Sequence, residues 1–560
     1  ENPWERLQML RGKMPNVLLQ MLIRGSNGVG YTAYSDNVIG KFVEKSWENG
    51  VDLFRVFDSL NWMKSIAPCI EHVRTKTQGL AEGSICYTGD ILDVKNTKYN
   101  LKYYVNLAKE IENSGAHILG IKDMAGLLKP YAASELVTAL KSELNIPIHL
   151  HTHDTSSIQA ATYLKAIEAG VDVVDVALGG LSGLTSQPNF NSIVEMMKFN
   201  ERENPININS LNEYSNYWET VREYYYPFES GLKSGSGEVF QHEIPGGQYS
   251  NLKPQAQALG LEDRFHEITK MYGEVNTLFG NIVKVTPSSK VVGDMAQYLV
   301  SNNLTITDVL EKGDTISFPQ SVVSFFKGEL GQPVNGFPKK LQKLILKDQK
   351  PFTDRPNAHI PPTDFDKEYA DFRKIFENDL GRNIDFTDFL SYKLYPKVFT
   401  DAYNKHLKYD NLTNLPTKNF FFGMEIGEEI TVEIDRGKTL LITLDYVGKP
   451  NLEGMVTVHF KVNGQGRKVE VKDESIKVET IKNEKVDKND ATQIGAPLQG
   501  MLSTILVKTG ENVVKNQPLF IIEAMKMETT ITATENGTIK KVVLKSGSMV
   551  NSDDLIIELK

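Results

Sequence analysis

Cysteine is scarce, with only Cys69 and Cys86 in 560 residues. Two thiols cannot build a disulfide framework, and the simplest reading is two buried, reduced side chains in a cytosol-like compartment. Positive charge is outnumbered, with 62 Lys and Arg against 71 Asp and Glu. A net charge of −9 leaves no broad basic face for nucleic acid or an anionic membrane. No apolar run reaches the roughly eighteen residues of a membrane span. A phosphate-binding loop is missing too: residues 25–30 are glycine-rich but follow an arginine and bring no phosphate-binding lysine. The chain opens on Glu1-Asn-Pro-Trp without Met, signal or transit segment, as a processed protein, a fragment or the ordered part of something longer would.

What is present reads as globular. Hydrophobic residues make up 40% and charged residues 24%, and the length suits several domains. Apolar runs of strand length fall at 17–24, 52–58, 83–88, 117–122, 146–153 and 171–177. Amphipathic helical stretches such as 37–49 and 101–114 alternate with them. Continuous apolar strands alternating with helices mean parallel β with helices outside, an α/β fold. The spacing suits a (β/α)8 TIM barrel with six strands visible and the first two missing. Strand count alone also allows a doubly wound open sheet.

The strand ends carry polar groups: Arg24, Asp58, Thr88, Lys122, and His151 with His153. Barrel chemistry sits at the C-terminal ends of strands, so these tips outline one rim. In His149-Leu-His151-Thr-His153-Asp154 the alternating histidines share a face and project toward the mouth. Two imidazoles on one strand make half of a divalent-metal site. A lysine pointing into a barrel, Lys122, costs free energy unless paired or modified, and desolvation lowers its pKa. A neutral amine can add CO2 to become a carbamate, an anionic oxygen ligand; an ion pair with a neighbouring Asp is the other solution. Arg24 is a guanidinium fork suited to binding a carboxylate.

At the other end, Gly500-Met-Leu-Ser-Thr-Ile-Leu-Val-Lys-Thr-Gly510-Glu-Asn-Val recurs as Gly537-Thr-Ile-Lys-Lys-Val-Val-Leu-Lys-Ser-Gly547-Ser-Met-Val. This is an internal repeat of two small β-units. Between the copies, Glu523-Ala-Met-Lys526-Met-Glu528 places Lys526 where a tight hairpin would push it into solvent. Alone, it would be an ordinary exposed lysine.

With the repeat and the flanking methionines, this segment resembles the biotinyl domain of biotin-dependent carboxylases, and Lys526 matches the lysine that carries biotin. The barrel segments Gln20-Met-Leu-Ile-Arg24-Gly-Ser-Asn-Gly-Val-Gly-Tyr31, Phe57-Asp58-Ser-Leu-Asn-Trp62, Cys86-Tyr-Thr-Gly-Asp90, Ile121-Lys-Asp-Met-Ala-Gly-Leu-Leu-Lys-Pro130 and His151-Thr-His-Asp-Thr155 resemble the carboxyltransferase domain of the pyruvate carboxylase family. The resemblance implies that Lys122 is a carbamylated metal ligand with His151 and His153, the metal being Zn or Mn. It implies that Arg24 and Tyr31 line the pyruvate pocket, with Asp58 supporting it. Read alone, Gln241-His-Glu-Ile-Pro-Gly-Gly-Gln248 and Lys284-Val-Thr-Pro-Ser-Ser-Lys-Val-Val-Gly-Asp294 are structural loops. The resemblance makes Thr286 the proton relay between biotin and pyruvate, with Ser289 and Lys290 helping to hold biotin. One departure stands out: the family's Arg-Asp-x-His-Gln motif, whose aspartate is a metal ligand, is missing.

The domain reading follows: 1–205 a carboxyltransferase barrel, 206–395 its helical extension, 396–473 an allosteric and tetramer-forming β module, 474–492 a charged linker, and 493–560 a flattened β-barrel biotinyl carrier. The family further implies carboxyl transfer from biotin to pyruvate giving oxaloacetate, acetyl-CoA as activator, and an upstream biotin carboxylase domain. It also implies biotin protein ligase as a partner, a homotetramer, no nucleic acid or membrane partner, and a cytoplasmic location in a bacterium or the mitochondrial matrix in a eukaryote. Rival readings are the α subunit of a biotin-dependent oxaloacetate decarboxylase and a non-catalytic biotin carrier on a degenerate barrel.

Overall fold

The computed structural model describes the chain apart from residues 1, 377–383, 452–453, 474–482, 488–489, 491 and 525–526. There are two compact units. The larger comprises Leu7–Arg222, Phe228–Glu368 and Glu484–Lys560, and the smaller Glu1–Arg6, Glu223–Pro227 and Tyr369–Asn483.

In the larger unit, β1 (Gln20–Ile23), β2 (Leu53–Val56), β3 (Leu80–Cys86), β4 (Ile118–Asp123), β5 (Ile148–Thr152) and β6 (Val173–Val174) pair in parallel, in sequence order, as a curled half-barrel sheet. All six expected strands are present, most of them shortened. β1 stops at Ile23 because the Arg24 N–H turns back to the Gly28 carbonyl at 2.6 Å. Helices cover the outside. Asp36–Glu48 buries Val38, Ile39, Phe42 and Val43. Leu101–Asn113 starts on Asn100, whose side chain accepts from the Tyr103 N–H at 3.0 Å, and buries Tyr104, Leu107, Ala108 and Ile111 along one stripe. The parallel register sets Cys86 opposite Lys122 and Lys122 opposite His151. That alignment brings the lysine and the imidazole side by side.

Segments of the helical extension attach at the strand ends. At the start of helix Gly246–Ala258, the Gly246 N–H donates to the Met124 carbonyl at 2.9 Å. At the start of helix Ser288–Ser301, Ser288 Oγ donates to the Ser59 carbonyl at 3.2 Å. Lys284, almost fully buried, reaches Thr88 Oγ1 at 3.2 Å and Glu243 Oε2 at 2.5 Å.

The smaller unit departs from the expected β module at 396–473. Its strands begin only at Glu429, after helices Pro396–Tyr409 and Thr417–Phe422. Pro396 occupies a first-turn position, where a missing N–H costs nothing. β7 (Glu429–Asp435), β8 (Lys438–Val447), β9 (Met455–Val462) and β10 (Gln465–Lys472) form an antiparallel meander. Asn463 and Gly464 take φ of 49° and 79° in the β9–β10 turn, the left-handed pair that a two-residue hairpin requires.

The C-terminal part of the larger unit folds into two four-stranded sheets from β11 (Gln493–Gly495), β12 (Gly500–Ile505), β13 (Asn512–Val513), β14 (Pro518–Ala524), β15 (Met527–Thr532), β16 (Gly537–Val542), β17 (Met549–Val550) and β18 (Leu555–Leu559). The sequence repeat becomes a pseudo-twofold. Gly500 pairs with Val550 and Gly537 with Val513, so each copy's first strand pairs with the other's second. Gly510 and Gly547 share φ of 87° and 88°, which is why glycine recurs there. Folding onto this domain starts ahead of the expected 493 boundary, since Val486 N–H donates to Asp553 O at 2.9 Å. β14 and β15 pair as far as Ala524 and Met527; Lys526 lies outside the described residues. A lone bridge joins Thr529 of β15 to Pro319, and one apolar core runs from the helical extension into the carrier.

Tyr104 ties helix Leu101–Asn113 to the end of β3. Its hydroxyl accepts from Thr88 N–H at 2.9 Å and donates to Thr88 O at 2.8 Å. Tyr104→Phe strands both buried groups, and denaturant titration is expected to show a loss of about 1–3 kcal/mol.

Candidate functional site

Lys122, at the end of β4, is 2% exposed, with Nζ 4.9 Å from the Phe57 ring centroid. Burial, aided by the charges of Arg55 and Arg24 and opposed by Cys86 and Asp175, pushes its pKa down to about 8. The ion pair with Asp123 does not form. That carboxylate accepts from the Leu127 and Leu128 N–H groups at 2.9 and 2.8 Å and from Thr152 Oγ1 at 3.1 Å. The amine is thus both buried and easily neutralised.

His151 and His153 face each other across 3.4 Å between their Nε2 atoms. His151 Nδ1 lies 2.8 Å from Asp175 Oδ2, and His153 Nδ1 lies 2.6 Å from the Thr185 carbonyl. Both partners can only accept, so each ring carries its proton on Nδ1 and turns a bare Nε2 lone pair inward. Burial lowers their pKa values to about 3 and about 4 and keeps both rings neutral. Two lone pairs aimed at one point repel unless a cation lies between them, so the donor set fits a divalent ion. Among the described residues, no group of three or more His, Cys, Asp or Glu could hold a metal; the two imidazoles and Lys122 are what this rim offers.

A buried charge cluster lies beneath. Arg55 reaches Glu82 Oε1 at 2.5 Å and Asp175 Oδ2 at 2.6 Å. His149, expected at the mouth with the other two histidines, belongs to this cluster. Its ring nitrogens lie 2.9 Å from Glu82 Oε2 and 2.8 Å from Asp175 Oδ1. Burial opposes its charge, but the hydrogen bonds to Asp175 and Glu82 outweigh it and raise the pKa. Burial likewise opposes Asp175's charge; hydrogen bonds from His149 and His151 and the Arg55 charge hold that carboxyl well below its usual range.

Arg24 donates from Nη1 to the Val29 carbonyl at 2.5 Å and lies 5.5 Å from the ring centroid of half-exposed Tyr31. Its Nε is buried without a partner. Asp58 is fully buried, accepts from Leu60 and Trp62 N–H groups at 2.8 and 3.0 Å, and is raised by burial to about 6. Ser59, next to Asp58, receives the Ser288 hydroxyl, so the Thr286 loop is pinned close to it. Thr286 is partly exposed, whereas Ser289 is fully buried with its Oγ unpartnered. Lys290 pairs with Asp294 at 2.5 Å. Gly246 is required by closeness: a Cβ there would lie 3.0 Å from His153 Nδ1. The structure thus gathers Lys122, His151 and His153 on one rim, while the Arg55–Glu82–Asp175 cluster went unread in the sequence. Its signal was an Arg and a Glu inside otherwise apolar neighbouring strands.

Comparison with known proteins gives three family matches: "HMGL-like" over residues 57–217, "Conserved carboxylase domain" over 239–443, and "Biotin-requiring enzyme" over 492–559. Pyruvate carboxylase of Bacillus subtilis is 52% identical over all of this chain and 48% of its own length. Mitochondrial pyruvate carboxylase of Homo sapiens is 43% identical over all of this chain and 47% of its own. The chain therefore spans about half the length of the curated relatives it matches. The solved carboxyl transferase domain of Rhizobium etli pyruvate carboxylase is 50% identical with a TM-score of 0.79, covering 85% of this chain and 79% of that one. The same domain solved with pyruvate and biocytin is 51% identical at TM-score 0.79, over the same shares. Half-barrel, helical extension and carrier sheet together define a biotin-dependent carboxyltransferase architecture. Within that class, the chain belongs to the pyruvate carboxylase family.

Asp58 gives a pH test. Its folded pKa of about 6 stands above the unfolded 3.8. The stability it contributes is fully present below pH 3.8 and is lost as pH rises through 6. Against Asp58→Asn, the wild type is expected to lose about 3 kcal/mol between those limits, measured by chemical denaturation across pH.

Proposed function

We propose that this chain carries out carboxyl transfer from biotin on Lys526 to the methyl carbon of pyruvate, giving oxaloacetate. The observation that carries the reading is the pair of neutral imidazoles with inward Nε2 atoms beside buried Lys122, in a chain that also bears a biotinyl domain. Relatives' structures have been solved with pyruvate and with biocytin. Low-pKa Lys122 is suited to carbamylation, and with His151 and His153 it would hold Zn or Mn. When bound, that ion supplies Lewis acidity and the attached biotin supplies an activated carboxyl group.

The residues then divide the work. Arg24, with its unpartnered Nε, binds the pyruvate carboxylate and offsets enolate charge, and Tyr31 flanks it. Buried Asp58 supports the same pocket. A proton must leave the methyl group as the new C–C bond forms and the N–C bond to the ureido group breaks. The Thr286 hydroxyl passes it to the ureido nitrogen, since a hydroxyl both donates and accepts. Ser289 and Lys290, in the first turn of the helix that follows Thr286, help to hold the incoming biotin.

The reading extends to the rest of the enzyme. An upstream biotin carboxylase domain loads the carrier and biotin protein ligase attaches biotin. Acetyl-CoA activates through the region of the smaller unit, and the assembly is a homotetramer. Cys69 and Cys86 are both free and buried, which supports a reducing compartment such as the bacterial cytoplasm. No helix among the described residues is long and apolar enough to cross a membrane.

The reverse reaction tests the proposal on the chain as it stands. Added free biotin is expected to stimulate decarboxylation of oxaloacetate to pyruvate, followed by pyruvate release. Thr286→Ala is expected to abolish it while leaving metal content and Lys526 biotinylation unchanged, and Thr286→Ser to restore part of it. Turnover by Thr286→Ala near the wild-type rate would reduce the threonine to a loop residue. In parallel, peptide mass spectrometry of protein made with biotin ligase is expected to place one biotin on Lys526 and none in Lys526→Ala.

A further inference from the structure

Two acceptors that cannot donate hold the rim imidazoles, and they differ in kind. For His153 the acceptor is a main-chain carbonyl, Thr185 O; for His151 it is a side chain, Asp175 Oδ2. A carbonyl is fixed by its backbone. A carboxylate can rotate, so it fixes a tautomer only if something fixes it. Asp175 is held at both carboxylate oxygens and at its backbone. Its N–H donates to the Leu150 carbonyl at 3.0 Å, and its own carbonyl accepts from Tyr163 OH at 2.6 Å. Its Oδ1 faces His149 Nε2 at 2.8 Å, and its Oδ2 takes Arg55 Nη1 at 2.6 Å as well as His151. Arg55 and His149 are held in turn by the two oxygens of Glu82, at 2.5 and 2.9 Å.

We propose that Asp175 is a positioning residue of this site: it fixes His151 as the Nδ1–H tautomer with Nε2 free to bind a cation, and the Arg55–Glu82–His149 cluster keeps its carboxylate aimed. The proposal rests on the reading of His151 and His153 as ligands of a divalent ion. A simple ion pair between Arg55 and Asp175 would stabilise the sheet without needing a second donor on the same oxygen. The shared use of Oδ2 by Arg55 and His151 links the cluster to the rim. Arg55 can only donate, so an amide at 175 would still turn its oxygen toward Arg55 and His151, its NH2 meeting His149 Nε2 in the tautomer that carries the proton on Nδ1 toward Glu82. The acceptor, rather than the negative charge, is what His151 needs.

Zinc alone is the probe, titrated into the intact chain against a chromophoric chelator, with Co(II) absorption as a second readout. Loss of an outer-shell partner typically weakens metal binding about 10–100-fold. Asp175→Ala is expected to fall in that range and to change the Co(II) spectrum. Asp175→Asn is expected to recover affinity to within a few-fold of wild type. Glu82→Ala takes away the oxygens that hold Arg55 and His149 but touches neither rim imidazole, and is expected to weaken zinc binding less than Asp175→Ala does. Wild-type zinc affinity in Asp175→Ala overturns the proposal, and so does Asp175→Asn binding as weakly as the alanine variant. If Asp175→Ala does not fold, Asp175→Glu keeps the charge and displaces the acceptor; undiminished zinc affinity there also overturns it. A wild-type chain that binds no zinc would instead defeat the metal reading itself.

Discussion

The Asp175 carboxylate is the constraint on which the barrel interior depends. It lies just past β6 and gathers donors from β2 and β5, so it joins strands far apart in the sheet. With Arg55, His149 and Glu82 it makes a cluster of charged and titratable groups, three of them nearly fully buried and Asp175 27% exposed. Such a set is no cheap source of stability: desolvation consumes most of what attraction returns, while removing one member costs about 3–5 kcal/mol. Its value is geometric. Charges that cannot be separated hold strands in register, and that register sets Lys122 beside His151.

The strand ends are held from the other side by the helical extension. Gly246 fits against Met124 and His153, Ser288 reaches Ser59, and Lys284 reaches Thr88. Each contact is made near a helix start or the loop before it, so N-terminal helix dipoles collect near the rim. Partial positive charge there suits the anionic substrate proposed above. Arg24 Nε and the facing Nε2 atoms, which have unspent capacity, lie on this side.

Much of this was legible in the sequence. Apolar runs bounded by polar tips marked all six strands, because a sheet covered on both faces needs unbroken apolar residues. The repeat marked the carrier's pseudo-twofold, because each copy needs glycine at the same left-handed turn. What stayed hidden depends on partners remote in sequence. Alternation put His149 on the same face as His151 but said nothing of depth, and depth decides that it meets Glu82 instead of the mouth. Asp123 looked like a partner for Lys122, yet the turn at 127–128 presented N–H groups nearer to hand. Helices at Pro396–Tyr409 and Thr417–Phe422 were masked by aromatic residues that read equally well as strand formers.

Among the described residues, β1 pairs only with β2 and β6 only with β5, so each outer strand of the half-barrel keeps one row of backbone donors and acceptors unused by the sheet. The flanks of those rows are greasy: Leu22 is 42% and Val173 43% exposed, and Val17 and Leu18 are exposed as well. A backbone edge of this kind accepts any extended chain that can match it. Those two margins are where a further strand of matching register can add, and a net charge of −9 opposes a second copy of this stretch doing so. Strand addition and the proposed carboxyl transfer belong to the same curved sheet, one at its margins and the other at its rim.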